Sequence, residues 1–153
     1  MSLKEELHLK KPFISIEHEA LLNLYYTSIC IKKHAVEFFS SYELTDVQFH
    51  LMMLLSHHGG EEGLSQARLS EMMMVNRANV TGLIDRLEKI GMVQRTPAED
   101  RRYNMIQLTQ KGRKLLEKAD PAYGQEVQKA MSVLPKADLK HLIAACEKLR
   151  GNL

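Results

Sequence analysis

Apolar residues recur at spacings of three and four along most of the chain, which predicts a mainly helical protein. The first long helix is expected over residues 16–41, because this stretch contains neither Gly nor Pro. Each later helical pattern begins at a proline or just after a residue type that caps helix N-termini. These starting residues are Thr45, Ser65, Asn76, Thr109 and Pro135.

The period of the pattern changes after Gly91, a residue type that commonly ends helices. Residues 92–96 and 103–108 alternate with a period near two and are separated by a polar loop, so a β-hairpin is expected. Three short helices followed by such a ribbon are the order of a winged helix-turn-helix. In the helical pattern after the hairpin, Pro121 and Gly124 predict a kink or a break near Asp120.

Both ends of the chain carry more apolar surface than a helix can leave in water. Residues 16–41 have two apolar rows, and a second copy of the chain is the simplest cover for them. The predicted fold class is mainly α with a small β-hairpin wing, a winged helix-turn-helix core flanked by N- and C-terminal dimerisation helices. We expect an N-terminal arm and dimerisation helix at 1–42, the winged helix-turn-helix at 43–110 and C-terminal dimerisation helices at 111–153, as one intertwined domain. The apolar face of the last helix comprises Leu139, Leu142, Ile143, Cys146 and Leu149.

Composition narrows the class of protein. The 153 residues are 44% hydrophobic and 26% charged, which is ordinary for a globular domain. No apolar run approaches the roughly 18 residues of a membrane span, and the first residues lack a secretory pattern, so we expect a cytoplasmic protein without a membrane partner. Two cysteines, Cys30 and Cys146, are too few for a disulfide framework or a four-cysteine zinc site.

Positive charge is concentrated in the middle of the chain. The net charge is only +2, but residues 65–118 contain 11 basic and 6 acidic side chains. Within this stretch, residues 69–88 give the strongest local indication of DNA binding. If Val80 points inward, several polar side chains remain on the outer face of the fourth helix. Arginine and asparagine are the side chains that pair with guanine and adenine edges. An ordinary helical hairpin with a solvated face would show the same pattern.

The predicted hairpin loop adds a second basic feature. It ends in Arg101 and Arg102, which follow Asp100. An arginine on a narrow ribbon can enter the minor groove of DNA, where the negative potential is strong. A neighbouring aspartate can hold the guanidinium in a fixed direction through a paired hydrogen bond. A solvated charge cluster at a turn is the alternative interpretation.

Three stretches of this sequence closely resemble the MarR (multiple-antibiotic-resistance regulator) family. They are Leu-Glu-Lys-Ile-Gly-Met-Val at 87–93, Asp-Arg-Arg at 100–102 and Leu-Thr-Gln-Lys-Gly-Arg at 108–113, and the resemblance extends from about residue 16 to 149. It implies a homodimeric bacterial transcription factor with two winged domains below a helical dimer interface. We expect a repressor that binds a pseudo-palindromic operator in double-stranded DNA.

The resemblance also assigns roles to residues. It identifies 76–89 as the recognition helix and 100–102 as the wing pair, and it places the start of the helix after Ser65 near phosphate, as exposed backbone N–H groups there would favour. Met74 stands where the family often has Gly, Gly82 replaces a frequent polar base-reader, and the wing loop is one residue shorter than the commonest form. The candidate DNA-binding residues are Ser65, Asn76, Arg77, Asn79, Thr81, Arg86, Asp100, Arg101 and Arg102.

Enzymatic and metal-binding functions find little support. The seven histidines form no His-Glu-x-x-His pattern, so no enzyme activity and no cofactor are expected. Cys30 and His34 share a helix face, but residues 112–134 contain no histidine to complete a zinc site. Lys32, Lys33 and His34 lie close to Cys30 in sequence, which leaves a redox-sensing cysteine as an alternative. A buried, inert cysteine is the commoner case on an amphipathic helix.

A small-molecule effector is expected from the residues around the junction of the first two helices. Phe38, Phe39 and Tyr42 end the first helix, while His50 and several methionines lie on the second, so an apolar cavity with a few polar groups is predicted. Phe38, Tyr42 and His50 are the candidate ligand-binding residues, and the resemblance favours aromatic acids as ligands. The alternatives are redox sensing through Cys30 and a winged helix that binds proteins without DNA.

Overall fold

The computed structural model describes residues 1–97 and 104–153, and it is mainly helical with one small antiparallel sheet. The predicted fold class is confirmed: helices and a wing follow each other in the expected order. The helices are α1 Leu3–Glu6, α2 Ile16–Ser40, α3 Asp46–His58, α4 Gln66–Met73, α5 Arg77–Lys89, α6 Gln110–Met131 and α7 Lys136–Arg150. The strands are β1 Leu64–Ser65, β2 Val93–Pro97 and β3 Asn104–Leu108.

Side-chain caps begin the helices where the sequence predicts them. The backbone N–H of Gln48 donates to the Thr45 hydroxyl at 3.2 Å, and that of Asn79 donates to the Asn76 side chain at 2.9 Å. The Ser65 hydroxyl accepts from Arg68 N–H at 3.2 Å, and the Thr109 hydroxyl accepts from Gly112 N–H at 3.0 Å. Each bond satisfies an N–H group that has no partner within its helix.

The sheet has three strands in the order β1-β3-β2, whereas the sequence predicted two. β2 and β3 pair in the expected hairpin register, with Val93 opposite Leu108. β1 adds a further antiparallel partner on the other edge of β3, with Leu64 opposite Ile106. The two-stranded prediction was therefore incomplete, because a two-residue strand has no detectable period of its own.

Helix α6 runs without a break through Pro121, so the predicted break near Asp120 was wrong. A proline removes one backbone donor and crowds the preceding turn, but Tyr123, two residues after Pro121, is packed against the aromatic rings of α2 and α3. Its ring centroid lies 4.9 Å from that of Phe39 and 5.4 Å from that of Phe49. This packing favours a continuous helix. Within the predicted N-terminal arm, residues 3–6 form the one-turn helix α1, which begins with a capping box from Ser2 and Glu5.

The core lies where α3, α4, α5 and the sheet meet, and α6 covers it with Leu116 and Ala119. The side chains at its centre are exposed by 1% or less: Leu51, Met52, Leu69, Val80, Ile84, Leu87, Val93 and Ile106. Helices α2 and α7 contribute little to it. Phe39 is the buried residue of α2, and α7, all of which the structure describes, has no buried residue.

Residues 1–97 and 104–153 include no helix with enough length and apolar character to span a bilayer.

Candidate nucleic-acid interface

Helix α5 has one buried apolar face and one exposed polar face. Val80, Leu83, Ile84 and Leu87 point into the core, so the helix axis is fixed by packing. The candidate DNA-binding residues Asn76, Arg77, Asn79 and Arg86 are all exposed, with Asn79 and Arg86 away from the buried face and Asn76 and Arg77 at the start of the helix. Rigid packing on one side and free hydrogen-bonding groups on the other are what a recognition helix requires.

The turn before α5 depends on a left-handed residue. Met74 ends α4 with φ 55° and ψ 38°, and its side chain is 85% exposed. Ser70 supports the turn, because its hydroxyl donates to the Val75 carbonyl at 2.5 Å. The small Ser70 side chain thus joins α4 to the turn. Met74 occupies a backbone conformation that Gly adopts at lower cost.

A polar contact fixes the start of α4 against α5. The Gln66 amide donates to the Arg77 carbonyl at 3.2 Å and to the Thr81 hydroxyl. Thr81 in turn donates to the same carbonyl at 2.9 Å. The structure therefore places Thr81 half-buried between the two helices rather than on the free outer face, with Ser65 at the adjacent N-cap of α4.

Arg86 folds back over the position where α5 lacks a side chain. Its Nε–H donates to the Gly82 carbonyl at 2.9 Å. A Cβ atom at residue 82 would have one near neighbour, Nη2 of Arg86, at 3.5 Å. Gly82 therefore leaves a shallow depression, and the guanidinium of Arg86 covers it. Among residues 1–97 and 104–153, the other N–H groups of Arg86 have no hydrogen-bond partner.

The wing is tied to α5 by Arg95, a residue that the sequence analysis missed. Its guanidinium binds Glu88 and Asp85, both on α5, and its backbone N–H donates to Glu88 at 3.1 Å. The hydrogen bond to Asp85 and the nearby negative charges raise the pKa of Arg95 above its ordinary value. A signal was available, because Arg95 falls on the inward face of β2 in the alternation that begins with buried Val93.

The wing residues Asp100, Arg101 and Arg102 lie outside the described residues. The strands that lead to them are described up to the pair formed by Pro97 and Asn104.

A cleft of about 730 Å³ lies between α2, α3 and α6, where the sequence predicted an effector cavity. His50, Met53 and Phe39 are among its lining residues. Phe38 lines a separate cleft of about 250 Å³ instead. Tyr42 packs against Phe38 with ring centroids 5.3 Å apart, and it lines neither of these two clefts.

Cys30 is exposed in the single chain, which differs from the buried cysteine that an amphipathic helix favours. It shares the smaller cleft with His34, whose Nε2 lies 3.5 Å from a Glu126 carboxylate oxygen on α6. In the part of the chain that the structure describes, no three His, Cys, Asp or Glu side chains group closely enough to hold a metal ion.

Known proteins resemble this chain in sequence. The sequence model of the MarR family matches residues 44–103. The HTH-type transcriptional regulator PecS of Dickeya dadantii is 26% identical over 146 residues, which cover 94% of this chain and 88% of PecS. The transcriptional activatory protein BadR of Rhodopseudomonas palustris is 30% identical over 145 residues, which cover 92% of this chain and 81% of BadR. These relatives are regulators of transcription, not enzymes.

A solved structure shares the fold. A chain in the crystal structure of the S. aureus MepR–DNA complex superposes with a TM-score of 0.80 at 23% sequence identity. The match covers 86% of this chain and 96% of the MepR chain.

Proposed function

Because this chain belongs to the MarR family of transcriptional regulators, we propose that it is a homodimer that binds a pseudo-palindromic DNA operator and leaves it when a small, aromatic molecule binds. We expect it to act as a repressor. MepR, which has the same fold, has a crystal structure in complex with DNA.

The exposed face of α5 is the observation that carries the proposal. Asn79 and Arg86 are exposed on a helix whose opposite face is buried in the core. Asparagine can pair with adenine and arginine with guanine in the major groove. The link from Arg95 to α5 would keep the wing at one angle to this helix, so that Arg102 reaches the adjacent minor groove when α5 lies in the major groove.

Dimerisation is supported by apolar surface that the single chain leaves uncovered. Ile16, Leu21 and Tyr25 on α2 and Ile143 and Leu149 on α7 are between 53% and 77% exposed. Leu21 and Leu149 line one apolar cleft between α2 and α7, and large apolar surface left exposed in this way usually marks an interface. Two copies joined through α2 and α7 would present two recognition helices, which must lie about 34 Å apart to enter successive major grooves.

Ligand control would act on that spacing. The 730 Å³ cleft lies where α2, one of the proposed dimer helices, and α6, which precedes α7, meet α3 of the winged domain. A molecule in this cleft would favour one relative position of these helices. It can shift the equilibrium only by the difference between its affinities for the two states.

Titration with DNA at two salt concentrations tests the proposal against a protein-binding winged helix. Phosphate contacts release counterions, so the affinity for DNA should fall steeply as salt increases. A matched variant, Asn79→Ala, should lose sequence preference while much of the salt dependence is retained. Absence of DNA binding at low salt would favour the protein-interaction module.

Redox control through Cys30 is the second candidate, because its thiol is exposed in the single chain. A peroxide would oxidise the thiolate to a sulfenic acid and be reduced to water or an alcohol. In that case peroxide releases the parent protein from DNA, and Cys30→Ser abolishes the response. Under ligand control, the parent and the Cys30→Ser variant both ignore peroxide and both respond to the effector.

A further inference from the structure

The polar side chains of α5 differ in whether they already have partners inside the winged domain. Thr81 is bonded to the Gln66 amide of α4. Asp85 and Glu88 both bind the guanidinium of Arg95 on β2. A side chain bonded in this way gains little from a base, because it must first give up its present partner. These three side chains are therefore committed to contacts within the protein.

Arg86 follows Asp85 directly and precedes Glu88 by two residues, yet it pairs with neither carboxylate, because Arg95 binds both of them. In the part of the chain that the structure describes, the Arg86 side chain makes a single hydrogen bond, from Nε–H to the Gly82 carbonyl. The side chain is exposed. The positive charge and the Nη donors of Arg86 therefore remain available to an external acceptor.

Gly82 gives the guanidinium of Arg86 its place on the helix. Residue 82 lies about one turn before Arg86, on the side toward which helical side chains lean. The bond from Nε–H to the Gly82 carbonyl is 2.9 Å long, and a Cβ at residue 82 would lie 3.5 Å from Nη2 of Arg86. A side chain longer than that of alanine would enter the space of the guanidinium. The backbone does not require glycine here, because residue 82 lacks the positive φ of Gly60, Gly63 and Gly91.

A guanidinium held in this way is suited to guanine. Guanine presents two acceptors, N7 and O6, in the major groove, and two N–H donors of arginine match them, whereas adenine presents a donor beside its N7. The bond to Gly82 restricts the rotamers of Arg86 before DNA arrives, so less conformational entropy is lost on binding. The missing side chain at residue 82 leaves room for a base-reading group from the next turn.

We propose that Arg86, held over Gly82, is the residue that makes α5 select a guanine in each half-site of the operator. This assignment deepens the proposed function and rests on it, because it requires sequence-specific binding of α5 in the major groove. Gly82 acts through Arg86, since it contacts no base and sets the position of the guanidinium. Gly82 replaces a frequent base-reader of the family, and Arg86 supplies the contact instead.

In vitro selection from a pool of random double-stranded DNA tests the assignment with the full chain. The parent protein should select a motif with a guanine in each half-site. Arg86→Gln should select adenine at that position, because glutamine pairs with N6 and N7 of adenine, and the rest of the motif should stay the same. Arg113→Gln, which removes an exposed arginine from α6, is the matched control and should select the parent motif.

Binding to duplexes that differ only at the selected position gives the size of the effect. By fluorescence anisotropy, we expect the parent to prefer the guanine duplex to the adenine duplex by at least about tenfold, and Arg86→Gln to reverse the preference. A parent motif that Arg86→Gln selects unchanged refutes the role of Arg86 and leaves the DNA-binding function standing. A parent protein that selects no motif refutes both this assignment and the proposed function.

Two substitutions at residue 82 test how the guanidinium is held. Gly82→Ala adds a Cβ at an ordinary contact distance from Nη2, so the guanine preference should be retained. Gly82→Leu should displace the guanidinium and reduce the preference to less than about threefold. The ratio of the two affinities is the readout, because a larger side chain on α5 also changes the overall affinity. Thermal melting confirms folding, and an undiminished preference in Gly82→Leu overturns the role of Gly82.

NMR of the arginine side chains detects the same bond without DNA. The Nε–H of Arg86 should exchange with solvent at least about twofold more slowly than that of Arg77, whose side chain has no hydrogen-bond partner among the described residues. Gly82→Leu should remove the difference. Equal exchange rates in the parent overturn the fixed position of Arg86, whether or not the protein binds DNA.

Discussion

Arg95 in β2 is bonded to Glu88 in α5 through both its backbone and its side chain. The backbone N–H donates to Glu88 Oε1 at 3.1 Å, and the guanidinium binds Oε2 of the same carboxylate. A planar, forked guanidinium constrains direction as well as distance. The angle between the wing and the recognition helix is therefore set by a specific contact in addition to apolar packing.

Replacement of Arg95 by Met should lower the free energy of unfolding by about 1 kcal/mol, because charge-assisted hydrogen bonds are lost but the two carboxylates remain partly hydrated. Arg95→Lys should recover part of the loss, since lysine retains the charge without the fork. Urea denaturation measures the free energy of unfolding of both variants. The control is Arg68→Met, which removes an exposed pair with Glu71 on α4 and should change stability by less than about 0.5 kcal/mol. Equal losses at both positions would contradict the structural role of Arg95.

Met74→Gly should raise the free energy of unfolding by about 1 kcal/mol, because residue 74 has φ 55° and only Gly adopts this conformation without Cβ strain. Met74→Ala is the matched control, since it removes the exposed thioether and keeps Cβ. We expect Met74→Ala to leave the free energy of unfolding unchanged, as measured by thermal and urea denaturation. A gain of the same size for Ala would assign the effect to the side chain and not to the backbone.

The helix starts could be predicted because they depend on neighbouring residues. Thr45, Asn76 and Thr109 each accept a hydrogen bond from an N–H three residues ahead, so the information lies within one turn of sequence. β1 could not be predicted in this way. Leu64 pairs with Ile106, and hydrogen bonds between residues so far apart leave no periodic pattern.

The sequence could predict which side chains of the site face outward on one helix, but it could not predict contacts between side chains of two different helices. The outward positions of Asn79 and Arg86 follow from the helical period, since Val80 and Leu87 occupy the buried face. The partnership of Thr81 with Gln66 joins two helices, so periodicity alone assigned Thr81 to the outer face. The break predicted at Pro121 was wrong for a related reason. The packing of Tyr123 against α2 and α3 cannot be deduced from the sequence of α6 alone.

Arg102→Ala should weaken operator binding by about 1–3 kcal/mol without dissociating or unfolding the protein, if this arginine enters the minor groove. Asp100→Ala should produce part of the same loss, because it frees the guanidinium to move. Fluorescence anisotropy at physiological salt measures both variants. Unchanged affinity for both would exclude the wing from operator binding.

Ile143→Glu should dissociate the dimer, because a carboxylate would replace an apolar side chain that is 57% exposed in the single chain and covered in the proposed dimer. The control is Lys140→Glu, an exposed position on α7 outside its apolar face. Analytical ultracentrifugation should show a dimer for the parent and the control, with a melting temperature that depends on concentration. A stable parent monomer at micromolar concentration would refute the dimer and, with it, the palindromic operator.

The most direct test of the central claim is capture of genomic DNA fragments by the full-length protein, followed by footprinting of the enriched fragments. We predict enrichment of an inverted repeat whose half-site centres lie about one helical turn, roughly 34 Å, apart. The double variant Asn79→Ala, Arg86→Ala should lose that enrichment while remaining folded. Recovery of the same fragments by the parent and the double variant, or no enrichment by the parent at low salt, would contradict sequence-specific DNA binding through α5.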